Sequence, residues 1–210
     1  MVMKRFRILR YVSVLLLLCS SATLSAAPLT TASEVLRLAT EQMKKCASVE
    51  ATFTALHGEF SLSGTVVVEG AKFMLISGEV STWFDGKTQW AYSPELNEVN
   101  VSEPTDDELA QINPLAIMSL LQSGYNARRI AASAGYDWIE LTPKRKGGYL
   151  KIEISFNSAT HFPSELVFVS SDNSVTTIKI KSIKDAGKQA ASKFQFSPML
   201  YPGVEVVDLR

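Results

Sequence analysis

An alternation of apolar and polar side chains begins at Val49 and continues to Ser77. Apolar residues take every second position in Ala51–Ala55, where threonines separate them, and a similar pattern recurs in Phe60–Val68. A period of two indicates β-strands that bury one face and leave the other in water, as in antiparallel sheets. This part of the chain is therefore predicted to form antiparallel strands.

The stretch from Ser81 to Val101 contains three short runs of aromatic and β-branched residues. Asp85-Gly86 separates the first two runs and is typical of a two-residue type I′ turn, because both of its central positions need positive φ. Ser93-Pro94 opens the next turn, since proline fixes φ near the value that the turn requires. A tight antiparallel meander is predicted here.

Further strands are predicted after Gly124, at residues 125–131, 136–142, 149–156, 164–169, 175–183 and 194–196. The chain has no internal repeat and no shift in composition that would mark a domain boundary. The sequence therefore predicts a mainly β protein with helices (α+β). Its core is one strongly curved antiparallel sheet of about 11 strands, in a single domain that spans residues 28–210.

Three helices are predicted to accompany this sheet. The first covers residues 31–46, where Thr31 and Glu34 form a capping box. A second box begins at Thr105, and Asn113-Pro114 supplies the start of a third helix that ends before Gly124. The helix-spaced positions of the first helix are Val35, Leu38, Ala39, Gln42, Met43 and Cys46, and those of the other two are Leu109, Ile112, Leu115, Ile117, Met118 and Leu121.

The first 27 residues have the layout of a cleavable signal peptide. Four basic residues precede the apolar run Tyr11–Cys19, and small residues follow as far as Ala27. This run is too short to span a bilayer. Cleavage is expected near Ala26 or Ala27; the alternative is lipid attachment at Cys19, although Leu18 stands where a small residue is usual.

Charge and cysteine content narrow the possible functions. Residues 1–27 hold four basic and no acidic residues, so the remainder has 17 Lys and Arg against 21 Asp and Glu. An acidic balance argues against a nucleic-acid partner. Cys46 is the one cysteine after the leader, which excludes an internal disulfide and a cysteine-based zinc site. An exported protein with a free thiol is expected in a bacterial periplasm.

Catalytic constellations are nearly absent. Neither His57 nor His161 lies in a recognisable nucleophile motif. Ser171-Asp172-Asn173 lacks the Ser-x-x-Lys that would accompany it in a β-lactamase. Gly86-Lys87-Thr88 lacks the first glycine of a phosphate-binding loop, and a strand follows it. The protein is predicted not to be an enzyme, and no metal or cofactor is expected.

One sheet face is long and apolar, and only three modest helices are available to cover it. Two interpretations remain open: a closed core, or a cavity for an apolar ligand between the curved sheet and a helical lid. Met43, Met74 and Met118 would give such a cavity adaptable walls. The face is predicted to include Phe53, Phe60, Leu62, Val66, Phe73, Trp90, Tyr92, Ile139, Leu141, Ile152, Ile154, Leu166, Phe168, Ile178 and Ile180.

The chain resembles the periplasmic carriers of outer-membrane lipoproteins (LolA type) over nearly all of residues 28–210. The resemblance rests on Asp85-Gly86-Lys87-Thr88-x-Trp90-x-Tyr92-x-Pro94, followed by Val99. It rests also on the C-terminal segments 191–198 and 202–208. It implies an incomplete antiparallel β-barrel closed by lid helices, in which a hydrophobic cavity takes up the acyl chains of lipoproteins.

The resemblance also implies roles and partners. The implied partners are an inner-membrane ABC transporter that supplies lipoproteins and an outer-membrane receptor that accepts them, with a monomeric carrier between. The implied cavity residues are Phe53, Phe60, Leu62, Val66, Phe73, Trp90, Tyr92, Ile152, Ile154 and Phe168. The implied lid residues are Val35, Leu38, Met43, Ile112, Leu115, Met118 and Leu121. The alternatives are a binding module of the same fold for another lipid or glycolipid, and an interaction or sensor domain without a ligand.

One position departs from the family pattern. Carriers of this type often have Arg-Pro in the turn after the strand that here contains Gly64, and that arginine helps to hold the lid. The aligned turn here is Glu69-Gly70-Ala71. Glycine cannot donate the hydrogen bonds of a guanidinium. Lys72 therefore substitutes for the arginine, or the lid closes by apolar contacts alone, or the cargo differs.

Overall fold

The computed structural model describes residues 31–78, 80–105, 109, 124–133 and 135–210. Over these residues, the helical Leu109 apart, the chain forms one α-helix, α1 (Ala32–Lys45), and a sheet of twelve strands. The strands are β1 (Val49–His57), β2 (Phe60–Glu69), β3 (Lys72–Ser77), β4 (Ser81–Phe84), β5 (Gln89–Ser93), β6 (Glu98–Ser102), β7 (Tyr125–Ser133), β8 (Tyr136–Pro143), β9 (Tyr149–Asn157), β10 (Pro163–Ser170), β11 (Val175–Asp185) and β12 (Glu205–Asp208).

The strand order is β12-β6-β5-β4-β3-β2-β1-β11-β10-β9-β8-β7. The predicted curved, mainly β sheet is confirmed. Its strand count and direction need correction, because β12 was not predicted and pairs with β6 in parallel. The predicted strand at 194–196 is wrong: 3₁₀ turns occupy Ala191–Phe194 and Pro198–Leu200, and the Gln195 amide donates to the Ser192 carbonyl nearby.

The register defines an inner face, which α1 covers in part, and an outer face. Cross-strand partners project from the same face of a sheet. Val35 and Ala39 of α1 are buried against inner-face side chains of β8, β9 and β10. This core consists of Ile139, Leu141, Ile152, Ile154, Phe156, Leu166 and Phe168, several of which pair directly across the strands.

Helix α1 begins as the sequence predicts. The Glu34 amide donates to Thr31 Oγ1 over 3.2 Å, which caps the first turn. Arg37 forms ion pairs with Glu34 and Glu41 on the exposed side. The hydrogen bond from Arg37 lowers the pKa of the exposed Glu34 carboxyl, and the Coulomb attraction adds to this. The prediction of a first helix over residues 31–46 is confirmed.

The outer face differs between the two halves of the sheet. On β7–β9 it is polar: Arg128 Nη2 lies 2.7 Å from Glu140 Oε1, and Lys151 Nζ lies 2.5 Å from Glu153 Oε1. On β4–β6 it is aromatic, and residues 191–204 of the C-terminal segment cover it. Phe196 contacts Trp83 with ring centroids 5.5 Å apart. The C-terminal segment therefore closes an outer core, separate from the inner one.

The loop between β4 and β5 is longer than the predicted two-residue turn. It contains four residues, Asp85–Thr88, and of these Gly86 alone has positive φ. Asp85 Oδ1 accepts the amide protons of Lys87 and Thr88 over 3.0 and 2.9 Å. The type I′ prediction is thus wrong, because the aspartate side chain organises a wider turn. The hairpin itself and the turn after Ser93 are confirmed.

Candidate functional site

The two ends of the sheet are distinguished by their turns. We call the upper end the one that holds the β1–β2 turn at Gly58-Glu59 and the β10–β11 turn at Ser171–Ser174. The lower end holds the β2–β3 turn and the β4–β5 loop. The inner-face side chains differ in burial between the two ends, and this difference bears on ligand binding.

Burial of the inner face decreases toward the upper end of β1 and β2. Val66 and Phe53 are 2% and 6% exposed, Leu62 is half-buried, and Phe60 is 80% exposed. Toward the lower end, Phe73 and the neighbouring Phe84 ring are buried, with centroids 5.6 Å apart. The inner face of this half is thus closed below, and its apolar side chains become accessible above.

Gly64 allows the Phe53 ring to lie directly against the backbone of β2. A Cβ built on Gly64 would stand 2.9 Å from Phe53 Cζ and 2.7 Å from the Ile76 carbonyl oxygen. Gly64 pairs with Phe53 across the strands. The sequence signal for this contact is a glycine inside a strand, which often marks such a close approach.

Three predicted cavity residues lie in the closed half of the inner face. Ile152, Ile154 and Phe168 are buried in the core beneath α1. Phe168 also contacts Tyr149, with ring centroids 5.4 Å apart. Burial raises the pKa of the Tyr149 phenol, and the nearby Tyr125 adds to this. Around β8–β10 the described side chains form a filled core.

Trp90 and Tyr92 lie on the outer face, and their predicted position on the inner face is wrong. Phe84 pairs with Phe73 on the inner face, so the adjacent Trp83 points outward and its partner Trp90 does the same. Tyr92 contacts Tyr201 with ring centroids 4.6 Å apart. Alternation showed that Trp90 and Tyr92 share an apolar face. It could not show that this face is the outer one, because the residues that cover it, Phe196 and Tyr201, are distant in the chain.

The predicted lid is described only in part. Val35 is buried against the inner face, and Met43 packs against both the β8–β10 core and the Val49–Val66 cluster. Leu38 is half-buried, on the flank of α1 opposite Leu36. The lid residues Ile112, Leu115, Met118 and Leu121 lie outside the described residues, as do the leader and Cys19. Leu109 is helical, and its amide donates to the Thr105 carbonyl.

The turn that departs from the family pattern is tied to the C-terminal segment. Gly70 has φ +61°, and Glu69 pairs with Lys72 to close the β2–β3 turn. Glu69 Oε2 accepts the amide proton of Gln189 over 2.9 Å. Lys72 Nζ lies 5.9 Å from the centroid of the Phe194 ring. Both charged side chains of this turn therefore engage residues 189–194.

Within the described ranges, no three His, Cys, Asp or Glu side chains gather in a way that suits a metal ion. The thiol of Cys46 is partly buried, and burial raises its pKa, with the charge of Asp185 adding to the effect. Its Sγ lies 3.6 Å from the Gln42 carbonyl oxygen. A helix that could span a membrane is not found among the described residues.

These features define a class: a large, open, mostly antiparallel sheet whose apolar inner face is partly covered by a helix. A sequence model described as "Outer membrane lipoprotein carrier protein LolA" matches residues 29–168. The chain belongs to this family.

Relatives of known name support the assignment, and a solved structure shares the fold. The outer-membrane lipoprotein carrier proteins of Neisseria gonorrhoeae and Neisseria meningitidis are each 30% identical over 127 residues, 59% of this chain. The aligned part spans 58% of those relatives' own length. The crystal structure of an uncharacterized conserved protein from Thermus thermophilus matches 84% of this chain and 98% of its own, with a TM-score of 0.58 and 15% identity. That likeness concerns the fold alone.

Proposed function

We propose that this protein is a periplasmic carrier that shields the acyl chains of lipoproteins on its inner face and transfers them from the inner to the outer membrane. The family assignment supports this function. The structural observation that carries it is the half-open apolar inner face beside β1–β3. Its accessible part includes Leu62, Leu75, Ala55 and Ile178.

The energetics suit such a role. Each methylene removed from water contributes about 0.8 kcal/mol, so an acyl chain of about 16 carbons gains on the order of 10 kcal/mol when it is shielded. An unshielded chain would not cross an aqueous compartment. The half-buried Leu62 and Leu75 offer the apolar surface that this transfer needs, and Leu75 packs against the buried Phe53 cluster.

Helix α1 has the properties of an adjustable cover. It rests on the inner face through the buried Val35 and Ala39 and the partly buried Ala32, Leu36 and Met43, while Arg37 and its ion-pair partners lie toward solvent. Met43 lies between the filled core and the half-open region. A flexible methionine at this junction can accommodate a ligand with little rearrangement. A carrier must release its cargo as well as bind it, and a cover held by few side chains serves both steps.

The proposal also covers the partners, the oligomeric state and the location of the protein. An inner-membrane ABC transporter supplies the lipoproteins and an outer-membrane receptor takes them, and the protein acts as a monomer without catalysing a reaction. Export by a cleaved signal peptide places it in the periplasm. Depletion of the protein in its host should leave outer-membrane lipoproteins in the inner membrane. Unchanged lipoprotein sorting would contradict the proposal.

A second candidate is a carrier of another lipid or glycolipid. The geometry at Gly70 favours it, because Glu69 and Lys72 engage the C-terminal segment, whereas the family arginine would hold the lid. Mass spectrometry of material that co-purifies with the protein separates the candidates. Acylated N-terminal peptides indicate a lipoprotein carrier, whereas free lipid without peptide indicates the second function.

A further inference from the structure

Large exposed apolar side chains are concentrated at the upper end of the sheet. They lie in or beside the turns that join consecutive strands, and each belongs to a different turn. They are Phe60 (80% exposed), Leu96 (68%), Leu150 (48%), Val175 (46%) and Val80 (40%). At the lower end of the described chain, the large exposed apolar residues are Tyr136 and Leu209. The others lie within strands or on the C-terminal segment: Ile130, Met199, Leu200 and Val206. One apolar residue on each of five turns at the same end marks a contact surface.

Hydrogen bonds between turns join part of this upper rim. The Ser171 amide donates to the Gly148 carbonyl over 3.0 Å, and Ser171 Oγ donates to the Gly147 carbonyl over 2.7 Å. On the other side, His57 Nδ1 lies 2.9 Å from Thr176 Oγ1. The turns that carry Leu150, Val175 and Phe60 are therefore held in a fixed arrangement.

The charges at this end are unevenly placed. Arg145 and Lys146 are exposed in the turn that precedes Leu150. Among the described residues, the acidic residues of the upper end lie in other turns or at the ends of other strands: Glu59, Glu95, Glu98, Asp172 and Glu205. The carboxylate of Asp172 accepts the Ser174 amide proton within its own turn. Lys144 is exposed in the same turn. The Leu150 turn thus combines an apolar side chain with three cations, a combination suited to anionic phospholipid.

We propose that the upper rim docks on the surface of a phospholipid bilayer. Single apolar side chains on separate turns match a fluid bilayer interface, into which each can insert, whereas a folded protein partner would require one continuous complementary patch. The link between this docking and cargo transfer rests on the proposed function. Phe60 continues the inner-face row of Leu62 and Val66, so a docked rim would open the inner face toward the membrane without an aqueous gap.

The test is flotation of the purified protein with vesicles. One set contains phosphatidylethanolamine and phosphatidylglycerol, and the other contains phosphatidylcholine alone. The variant Phe60→Ser should lower the vesicle-bound fraction about ten-fold, and Leu150→Ser about three-fold, because each removes an inserting side chain. Replacing Arg145 and Lys146 with Ser should weaken the preference for the anionic vesicles, although Lys144 remains in the turn. Leu209→Ser, at the lower end, is the matched control and should float like the unchanged protein.

Three results would overturn the proposal. The first is a lack of flotation with protein-free vesicles of either type. The second is flotation only when vesicles contain extracted membrane proteins, which would make the partner a protein. The third is an equal decrease of the vesicle-bound fraction in Phe60→Ser and Leu209→Ser. Binding of a fluorescent fatty acid in vesicle-free solution tests the carrier function separately, and Leu150→Ser should retain it. Flotation without fatty-acid binding would uphold docking and reject the carrier function.

Discussion

Replacement of Gly64 with alanine tests how closely the inner face is packed at its most confined point. The new Cβ would stand 2.7 Å from the Ile76 carbonyl oxygen and 2.9 Å from Phe53 Cζ. Neither atom is the end of a flexible chain: one belongs to the backbone of the neighbouring strand, and the other to a ring that is 6% exposed. Backbone or ring must therefore shift to admit the methyl group.

The expected cost follows from two opposing effects. Overpacking of a filled site typically costs about 1–3 kcal/mol. Alanine also restricts the unfolded chain relative to glycine, which offsets about 0.4–1 kcal/mol of this. The net loss in the free energy of unfolding should therefore be about 1–2 kcal/mol. For a chain of this size, that corresponds to a decrease of roughly 2–8 °C in Tm.

Urea unfolding followed by tryptophan fluorescence measures this loss. Gly147→Ala is the matched control, because nothing lies within 4 Å of its Cβ and its φ is not in the left-handed region. The control should stabilise the protein by about 0.4–1 kcal/mol, because it restricts the unfolded chain in the same way without overpacking. Equal stability of Gly64→Ala and Gly147→Ala would refute the assigned contact between Phe53 and β2.

A double variant assigns the cost to its source. In a Phe53→Leu background the ring is absent, and only the Ile76 carbonyl contact remains. Gly64→Ala should then cost about 1 kcal/mol less than it does in the unchanged chain. If the cost is the same in both backgrounds, the backbone contact accounts for all of it.

Other substitutions test the two cores and the β4–β5 loop. Phe196→Ala should destabilise the protein by about 3–4 kcal/mol and change the near-ultraviolet circular dichroism, because three aromatic rings lose their partner. Val35→Ala, on the buried side of α1, should cost about 1–2 kcal/mol in urea unfolding, whereas the exposed Val206→Ala should cost less than about 0.5 kcal/mol. Burial opposes the ionisation of Asp85, but amide protons from Thr88 and Lys87 outweigh it and lower its pKa. Asp85→Asn should therefore cost about 0.5–1 kcal/mol at pH 7, and the difference should vanish as pH falls below the usual carboxyl range, near 3.8. A pH-independent difference would contradict this account of the loop.

The local pattern of the sequence was sufficient to predict most of the strands and the start of α1. Threonines separate apolar residues in β1, so both its period and its buried face were evident. Thr31 had one obvious role as a cap. These features depend on residues that are close in the chain, which is why their structural outcome agrees with the pattern.

Features that depend on distant residues were harder to predict. The assignment of Trp90 and Tyr92 to a face depends on residues 196 and 201, which turn the outer side of the meander into a second core. The parallel pairing of β12 with β6 likewise joins segments about a hundred residues apart, and no local period reveals it. Gly64 carried a signal, a glycine within a strand, but only the cross-strand register identifies Phe53 as the ring that needs the space.

Photocrosslinking tests the central claim, that acyl cargo occupies the inner face, most directly. In three separate variants, the photoreactive amino acid p-benzoylphenylalanine replaces Leu62 or Leu75 on the inner face, or Tyr92 on the outer face. Cells that produce each variant are irradiated, and the protein is then purified. Mass spectrometry should find acyl-chain adducts at positions 62 and 75 and none at position 92. Adducts at position 92, or adducts at none of the three positions, would contradict the account.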